Sequence, residues 1–411
     1  MNCNERKFLS NLKVFMSNSN NRSYLFIDSS AELDQFYQDN KAVPWLCFDT
    51  EFVGEKRYWP RLCLIQVATE NGNYLIDPFE CGKLDPFLSL MEDANICKIT
   101  HAGDNDYRLL HNLFGTVPKN IFDTQIAAGF LGYRYPISFR KLVETELGWH
   151  LKKGYAVADW EARPFQQRQL NYALEDVLPL YRLWRKASDK LRKLNRTEWA
   201  KEEFSKLETA AYYEKSPYYE AVNSNMIKSL ANKEKLFFLR LTKWRVETAE
   251  RRNHSKEMVL PSKMINHIVR NVGAGKDALK KNRRIPDKIT DQLGDIFVDL
   301  YRLKETAEER GMLEKIPDFD KGDDQNEDII IDLLYLLIKY KCIEEKVATS
   351  LVCSKNQLLR FKLDKDYQNE TLGNGWRRIF LGTDMVEWLD NLEDLKLEIN
   401  GGKIEIRVGH E

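Results

Sequence analysis

The stretch WLCFDTEF, at residues 45–52, decides how this chain folds and where its chemistry lies. Its apolar and aromatic residues predict a strand, in which successive side chains point to opposite faces. Asp49 and Glu51 are two residues apart, so both carboxylates lie on one face of that strand. Two neighbouring buried carboxylates need either two basic partners, such as Arg57 and Arg61, or bound cations. The pattern favours cation binding.

Two further places in the sequence carry acidic side chains in a comparable setting. THAGDND follows the apolar run ICKIT and opens a helical pattern, so either Asp104 or Asp106 falls at the end of a strand. QLNYALEDVLPLYRLW has helical periodicity, and Tyr172 and Asp176, four residues apart, share one face of that helix. Such oxygen ligands suit Mg²⁺ or Mn²⁺. Two ions about 3.5–4 Å apart would clamp the attacking and leaving oxygens of a phosphodiester.

The wider pattern predicts an α/β domain followed by all-α segments. Five short apolar runs predict strands, and helical runs follow them up to about residue 207; the strands are YLFID, WLCFDTEF, CLIQVAT, NYLIDP and ICKIT. KEKLFFLRLTKWRVETAERRN and the segments after it predict an all-α bundle with Phe237, Phe238, Leu241 and Trp244 in its core. LKLEINGGKIEIRV predicts a hairpin with Gly-Gly at its turn.

Charge is distributed unevenly, although the 63 basic and 63 acidic residues of the 411-residue chain balance. From Lys228 to Lys304 there are 19 Lys and Arg against 9 Asp and Glu, whereas Glu305 to Asp332 has 11 acidic residues against 3 basic ones. This asymmetry predicts a basic module that contacts nucleic-acid phosphates, followed by an acidic linker. The candidates for phosphate contact are Lys243, Arg245, Arg251, Arg252, Lys280, Lys281, Arg283 and Arg284.

The composition also excludes several classes of protein. A hydrophobic content of 43% with 31% charged residues is typical of a soluble globular protein. The longest apolar run, IIIDLLYLLI, contains Asp332 and is too short for a membrane span, so we expect no membrane partner. Seven cysteines without a CxxC pair, and a polar N-terminus, predict a cytoplasmic, reduced protein. Because no GxxxxGK[ST] motif is present, we expect no nucleotide cofactor.

Three motifs together resemble a known superfamily. DTE at 49–51, HAxxxD ending at Asp106 and YxxxD from Tyr172 to Asp176 resemble the tyrosine-bearing branch of the DEDD 3′→5′ exonucleases. The words YWPRLCLIQVAT, LIDPF, FDTQIAAGFLGY and ADWEARPFQQRQLNYALEDV are similar to the ribonuclease D family. This resemblance runs from about Asp49 to Trp184 and implies a ribonuclease H-like mixed sheet flanked by helices. LTKWRVETAERRN resembles the helical HRDC domain, and the last segment resembles a second HRDC-like unit.

The resemblance and the composition divide the chain into six segments. We expect a lead-in at 1–20, an exonuclease domain at 21–210 and a linker at 211–227. An HRDC domain at 228–305, an acidic linker at 306–327 and a second HRDC-like domain at 328–411 follow.

The resemblance also implies roles for single residues. It selects Asp106 over Asp104, which is then expected to cap the helix. The expected catalytic set is Asp49, Glu51, Asp106, Tyr172 and Asp176, whose four carboxylates hold two Mg²⁺ or Mn²⁺ ions, with Asp49 touching both. Tyr172, with an unperturbed pKa of about 10, is a poor base and is expected to orient the attacking water. The residues expected to contact the substrate are Phe52, Gln66, His101, Lys153, Arg245 and Arg252. Core packing is an alternative for Phe52, and a polar niche is an equal alternative for His101. The role of Lys153 stays open.

The implied activity is metal-dependent hydrolysis from RNA 3′ ends that releases 5′-nucleoside monophosphates. The substrates implied are tRNA precursors and other small structured RNAs. A DNA exonuclease acting in repair is the alternative, because the same five residues serve both polymers and a 2′-OH contact is invisible in sequence. A non-catalytic RNA-binding scaffold is disfavoured because all five residues are present. We expect a monomer.

Overall fold

A computed structural model describes residues 23–151, 158–314, 316, 325–361, 371–382, 385, 395–400 and 403–408. These residues divide into two compact units. The first contains the described residues within 1–51, 62–212 and 324–411, and the second contains those within 52–61 and 213–323. The predicted lead-in at 1–20 and Lys153 lie outside the described residues.

The first unit is built on a six-stranded mixed sheet flanked by helices, which confirms the predicted fold class. Its strands are β1 (Leu25–Ile27), β2 (Trp45–Val53), β3 (Arg61–Ala68), β4 (Asn73–Ile76), β5 (Cys97–Thr100) and β6 (Ile121–Asp123). They lie in the order β1-β4-β3-β2-β5-β6. The pairs β1–β4, β2–β5 and β5–β6 are parallel, and β3–β4 is antiparallel. The acidic strand β2 is therefore central.

Helices pack on both faces of this sheet. They are α1 (Ser30–Asn40), α2 (Asp85–Glu92), α3 (Asp104–Phe114), α4 (Thr124–Phe130), α5 (Phe139–Leu147), α6 (Gln167–Val177), α7 (Leu180–Lys193), α8 (Thr197–Lys206) and α9 (Ala210–Tyr213). On one face, Trp45 and Cys47 of β2 pack with Val177 at the end of α6. On the other face, Phe48 packs against Tyr107 of α3, with ring centroids 5.4 Å apart. The alternation of β2 thus separates two packed layers.

The side chain of Asp123, at the end of β6, holds the backbone that follows β5 and β6. Its buried carboxylate accepts the backbone N–H groups of Gln125 and Ile126 at the start of α4, at 2.8 and 3.1 Å. The same carboxylate accepts the N–H of Gly103 at 2.9 Å, in the turn that leads into α3. One side chain therefore holds the beginnings of two neighbouring helices. Gly103, not Asp104, precedes the first residue of α3, so the predicted cap is wrong; the Asp104 carboxylate instead accepts a hydrogen bond from Arg108 at 3.0 Å.

The second unit is helical, as predicted. Its helices are α10 (Tyr219–Val222), α11 (Asn232–Arg252), α12 (Lys256–Val259), α13 (Ser262–Asn271), α14 (Lys276–Lys281), α15 (Asp287–Arg302) and α16 (Ala307–Glu314), with 3₁₀ turns at Asn225–Ser229 and Val272–Ala274. The predicted core is confirmed: Phe237, Phe238 and Leu241 are buried in it and Trp244 packs against it. The segment expected to be a linker at 211–227 differs, because Tyr218 and Ile227 are buried in this same core.

The loop between β2 and β3 belongs to the second unit, although β2 begins in the first. The N–H of Trp59 donates to the Asn253 side-chain oxygen at 3.0 Å, and the N–H of Ser255 donates to the Lys56 carbonyl at 3.1 Å. Asn253 ends α11 in the left-handed region (φ 47°), which asparagine tolerates better than most residues. One residue thus both ends the helix and holds the loop.

The C-terminal segment groups with the first unit rather than forming the separate domain expected at 328–411. It contains α17 (Gln325–Glu344), α18 (Thr349–Val352), α19 (Lys355–Phe361) and α20 (Gly375–Leu381). The Glu203 carboxylate of α8 accepts hydrogen bonds from Arg377 at 2.5 Å and from the Trp376 indole at 2.6 Å. Trp376 is 1% exposed and stacks on Trp199 with ring centroids 5.9 Å apart. These contacts bury the indole ring of Trp376 against α8.

The last described elements form the predicted hairpin. Strands β7 (Leu395–Asn400) and β8 (Lys403–Val408) pair antiparallel, with Asn400 opposite Lys403. The Gly-Gly turn lies outside the described residues. In the part of the chain that the structure describes, no helix combines the length and apolar character of a membrane span. The described cysteines at 47, 63, 81, 97, 342 and 353 are free thiols.

Candidate active site

A cavity of about 250 Å³ opens where β2 meets α6 in the first unit. Nine residues line it: Phe48, Asp49, Thr50, Glu51, His101, Phe139, Tyr172, Asp176 and Leu180. Four of the five predicted catalytic residues are among them. The sequence spacing explains this, since β2 presents Asp49 and Glu51 on the face covered by α6, and α6 presents Tyr172 and Asp176 one turn apart.

Asp106, the fifth predicted residue, joins the cluster from the first turn of α3. Its side chain is 7% exposed and accepts a hydrogen bond from the Thr50 hydroxyl. Thr50 lies between Asp49 and Glu51 and points to the opposite face of β2, toward α3. The charge of Asp106 raises the pKa of both Asp49 and Glu51, so it belongs to the same electrostatic site.

Burial and mutual repulsion hold the pKa values of these carboxyls above their ordinary range. Burial raises the pKa of Asp49 strongly, and the charges of Asp106, Asp176 and Glu51 add to it. Burial and then the charges of Asp176 and Asp106 raise the pKa of Glu51 to about 8. Burial raises the pKa of Asp106 to about 6, and Thr50 opposes this rise. Such a cluster favours either protons or cations.

The pKa of Asp176 is raised to about 7, first by burial and then by Glu175. Two groups oppose this rise: the Tyr172 hydroxyl, through a hydrogen bond to the Asp176 carboxylate, and the positive charge of Arg140. Burial and the three carboxylates of Asp176, Glu51 and Asp49 raise the pKa of Tyr172. Tyr172 therefore stays protonated at neutral pH and can donate a hydrogen bond but cannot act as a base.

The donor set fits hard divalent cations. Apart from His101, whose two ring nitrogens have hydrogen-bond partners, the polar side chains that line the cavity are carboxylates and hydroxyls. Among the described residues, no ion pair involves Asp49, Glu51, Asp106 or Asp176. Within the described residues, no three His, Cys, Asp or Glu side chains are already arranged closely enough to hold a metal ion, so these carboxylates would have to move together on binding one. An open carboxylate site suits Mg²⁺-like ions, because these keep several waters and take phosphate oxygens as further ligands. The residues thus fit the metal ions that the sequence predicts.

The expected substrate-binding residues fall into different places. His101 lines the cavity, and both of its ring nitrogens are hydrogen-bonded, Nδ1 with the Thr124 hydroxyl and Nε2 with the Ile137 carbonyl, each at 3.0 Å. This supports a structural niche at the cavity wall. Phe52 is 37% exposed, at the end of β2 beyond the cavity lining.

Two of these expectations are corrected by the structure. Gln66 is fully buried in β3 and cannot reach a bound nucleotide. Arg245 is 4% exposed, and its guanidinium donates to the Leu260 carbonyl at 2.8 Å and to Glu257 at 2.6 Å. Arg245 therefore stabilises the helical unit, with no free donor face for RNA. Arg252, seven residues further along α11, is exposed.

The basic residues of the second unit that were predicted to contact phosphates also fall into two groups, those with a partner in the protein and those without an ion pair in the described part of the chain. Lys243 donates to the Tyr218 hydroxyl at 3.1 Å, and Lys280 pairs with Asp291 at 3.0 Å. The exposed candidates for which the described residues provide no ion pair are Arg251, Arg252, Lys281, Arg283 and Arg284. These five remain candidates for phosphate contact.

The sequence-based prediction did not include Thr50, Phe139 and Arg140 in the site, nor the apolar lining residues Phe48 and Leu180. Thr50 could have been predicted from its place between two carboxylates. Alternate residues of a strand point to opposite faces, so Thr50 faces the helix layer on the other side of the sheet. Phe139 lines the cavity and packs on His101 with ring centroids 5.1 Å apart. Arg140, the next residue, is exposed and provides the positive charge felt by Tyr172 and Asp176. No local pattern distinguishes it from other surface arginines.

Comparisons with known proteins agree with this geometry. Residues 24–192 match the family model described as a 3′-5′ exonuclease. The chain is similar to ribonuclease D of Sphingobium indicum, at 31% identity over 92% of this chain and 97% of that protein. It is also similar to ribonuclease D of Gluconacetobacter diazotrophicus, at 28% identity over 93% and 96% of the two chains.

A solved structure extends the similarity to the whole fold. The crystal structure of Escherichia coli RNase D, described as an exoribonuclease involved in structured RNA processing, matches with a TM-score of 0.76 and 25% identity. The match covers 90% of this chain and 98% of that one. The matched region therefore includes the helical second unit as well as the sheet of the first unit.

Proposed function

This chain belongs to the ribonuclease D family, and from that premise we propose how its residues carry out 3′→5′ hydrolysis of RNA. The enzyme is a 3′→5′ exoribonuclease that depends on divalent metal ions. The observation that carries the mechanism is the cavity in which β2 and α6 bring three carboxylates and one protonated tyrosine together, with the nearby charge of Asp106 on α3 acting on two of those carboxylates.

We propose that Asp49, Glu51, Asp106 and Asp176 hold two Mg²⁺ or Mn²⁺ ions. The ions would supply an acidified water and neutralise charge on the reacting phosphate. The carboxylates, whose pKa values are raised when no cation is present, would ionise on binding. The Thr50 hydroxyl, which donates a hydrogen bond to Asp106, would hold that carboxylate in one orientation for metal binding.

Tyr172 positions the attacking water in this proposal. Its hydroxyl stays protonated because its pKa is raised, so it acts as a hydrogen-bond donor and acceptor beside Asp176. The water oxygen attacks the last phosphorus atom of the RNA, the bond to the 3′-oxygen breaks, and the departing chain end takes a proton. A 5′-nucleoside monophosphate and an RNA with a new 3′-OH result.

Positively charged surface residues in each unit are candidates for contact with the RNA upstream of its 3′ end. The exposed cations of the second unit and Arg140 are suited to phosphate contact, which gives affinity without sequence readout. Family membership supports tRNA precursors and other small structured RNAs as substrates. The monomeric state and the cytoplasmic location stay predictions of the sequence.

The test is time-resolved digestion of a 3′-extended tRNA and a matched DNA strand, in Mg²⁺, Mn²⁺ or EDTA. We expect stepwise shortening of the RNA from its 3′ end, release of 5′-monophosphates, and no reaction in EDTA. Asp49→Ala should be inactive, and Asp104→Asn, whose carboxyl lies two residues from Asp106, should keep activity. Preferential loss of DNA would favour a repair exonuclease, and binding without hydrolysis in every metal would contradict the mechanism.

A further inference from the structure

The carboxylates of the site differ in how they are held. Asp106 accepts the Thr50 hydroxyl and Asp176 accepts the Tyr172 hydroxyl. For Asp49, the donor that the described residues provide is the backbone N–H of Thr50, with no side-chain donor. Ligand carboxylates in metal sites are themselves normally hydrogen-bonded, which fixes their orientation. Within the described part of the chain, Asp49, like Glu51, therefore lacks the side-chain donor that Asp106 and Asp176 have.

An unused side-chain donor lies close by in the sheet. Gln66 is 0% exposed, and neither its amide nitrogen nor its amide oxygen has a hydrogen-bond partner among the described residues. An amide buried without a partner is rare and destabilising, so its presence in a packed core requires an explanation.

The strand geometry places this amide on the same face of the sheet as Asp49. Ala68, two residues after Gln66 in β3, packs with Trp45 and Cys47 of β2 and with Val177 of α6. Residues two apart share a face, so Gln66 and Asp49 both point to the layer under α6. β3 is the direct neighbour of β2, and side chains on one face of neighbouring strands lie within reach of each other.

A contact with substrate cannot explain Gln66, because its side chain has no exposed surface. A purely structural role does not explain it either, since an apolar residue of similar size would pack there without an unpaired amide. What remains is a partner that needs a donor only in the working state of the site. Asp49 meets that condition, because it lies on the same face of the neighbouring strand and a carboxylate that holds a cation needs a donor to fix its orientation.

We propose that Gln66 is a positioning residue whose side-chain amide donates a hydrogen bond to the Asp49 carboxylate when the site holds its metal ions. The inference rests on the proposed function, because it requires that Asp49 is a ligand. Gln66 would act through Asp49 and would not touch RNA or the reacting phosphate.

The test measures metal binding directly, by Mn²⁺ titration of the full chain followed through the electron paramagnetic resonance signal of free Mn²⁺. Gln66→Met keeps the volume and removes the amide. We expect its Mn²⁺ affinity to fall about 10- to 100-fold, while its melting temperature in EDTA stays at or above that of the wild type. The matched control is Thr290→Val in the second unit, which removes a buried hydroxyl that, like the Gln66 amide, has no hydrogen-bond partner in the described residues. The Mn²⁺ affinity of this variant should not change.

The outcomes separate this inference from the proposed function. Unchanged Mn²⁺ affinity in Gln66→Met, with a wild type that binds Mn²⁺ and digests RNA, would overturn the role of Gln66 alone. A wild type that binds no Mn²⁺ would overturn both. If Gln66→Met does not fold, wild-type protein labelled with [¹⁵N]glutamine gives a second readout. The exchange-protected side-chain amide signal should then shift on adding Mg²⁺ in the wild type and not in Asp49→Asn; an unshifted signal would overturn the role.

Discussion

Replacing Glu51 by glutamine should stabilise the metal-free enzyme at alkaline pH, because Glu51 is a carboxyl held in an unfavourable place. Its pKa is raised from 4.5 to about 8 by burial and by the charges of Asp176 and Asp106. A carboxyl with a raised pKa contributes stability that is fully present below its unfolded pKa and is lost as the pH rises through its folded pKa. The window for Glu51 therefore runs from about pH 4.5 to about pH 8. Glutamine does not ionise and escapes this loss.

The magnitude follows from the difference between a pKa of 4.5 and a pKa of about 8, which corresponds to an upper limit of about 5 kcal/mol at 1.36 kcal/mol per pKa unit. At pH 8 the carboxyl is only half ionised, and the neighbouring carboxyls share protons with it. We therefore expect the Glu51→Gln variant to gain about 2–4 kcal/mol in the free energy of unfolding of the first unit at pH 8 in EDTA. At pH 5 the gain should be below about 1 kcal/mol.

Hydrogen–deuterium exchange of peptides covering β2 and α6 measures this change in the first unit separately from the second. A gain of 2–4 kcal/mol slows exchange through global opening about 30- to 900-fold. Glu198→Gln is the control, because the Glu198 side chain is 79% exposed, and it should not alter exchange. Equal exchange of Glu51→Gln and wild type at pH 8 in EDTA would refute the reasoning. Saturating Mg²⁺ should remove most of the difference by stabilising the wild type.

Three further predictions follow from the site and the second unit. Asp49→Ala and Asp176→Ala should abolish hydrolysis with unchanged circular dichroism spectra, and activity in either variant would contradict the metal site. Tyr172→Phe should lower turnover on the order of 100-fold with unchanged RNA affinity in a filter-binding assay, and unchanged turnover would remove the hydroxyl from the mechanism. Arg245→Met should lower the free energy of unfolding by about 2–4 kcal/mol in urea denaturation. Arg252→Met should leave that stability unchanged and lower the slope of log affinity against log salt by about 0.7, and the reverse pattern would contradict the assignment of the two arginines.

Much of the carboxylate site could be predicted because it depends on local spacing. A separation of two in a strand and of four in a helix places side chains on one face whatever the rest of the chain does. Asp49 with Glu51, and Tyr172 with Asp176, are cases of this kind. The contact between Thr50 and Asp106 spans 56 residues and depends on how α3 packs against β2. No periodicity in the sequence contains that information.

The prediction that Arg245 of α11 is exposed and contacts RNA was wrong for a physical reason. Arg245 and Arg252 lie in the same basic run, and arginine is usually exposed, so both were expected at the surface. The buried face of α11 includes Leu241 and Thr248, and Arg245 falls on it. It is accommodated there because Leu260 and Glu257, which come later in the chain, accept its donors. Sequence periodicity cannot anticipate a buried cation whose partners lie outside its own helix.

The separate C-terminal domain expected from sequence depended on resemblance and on the acidic run before it. The structure groups this segment with the sheet through contacts such as that of Arg377 with Glu203, 174 residues apart. Composition marks where a chain changes character, but it does not tell which unit the next segment packs against. The linker prediction for 211–227 has the same limit. Its tyrosines and proline suggested an exposed bridge, whereas Tyr218 is 2% exposed and packs in the core of the second unit.

The loop that follows Glu51 has a consequence for how the enzyme is assembled on the ribosome. The chain leaves the first unit at Glu51, enters the second at Phe52 and returns at Leu62. The loop partners Asn253 and Ser255 are synthesised almost 200 residues later. The strand that carries two of the four proposed metal ligands is therefore synthesised early, but the loop residues that follow it reach their final contacts only once α11 is complete. A gene truncated before residue 213 would encode the five proposed catalytic side chains but would leave Lys56 and Trp59 without their contacts to Ser255 and Asn253.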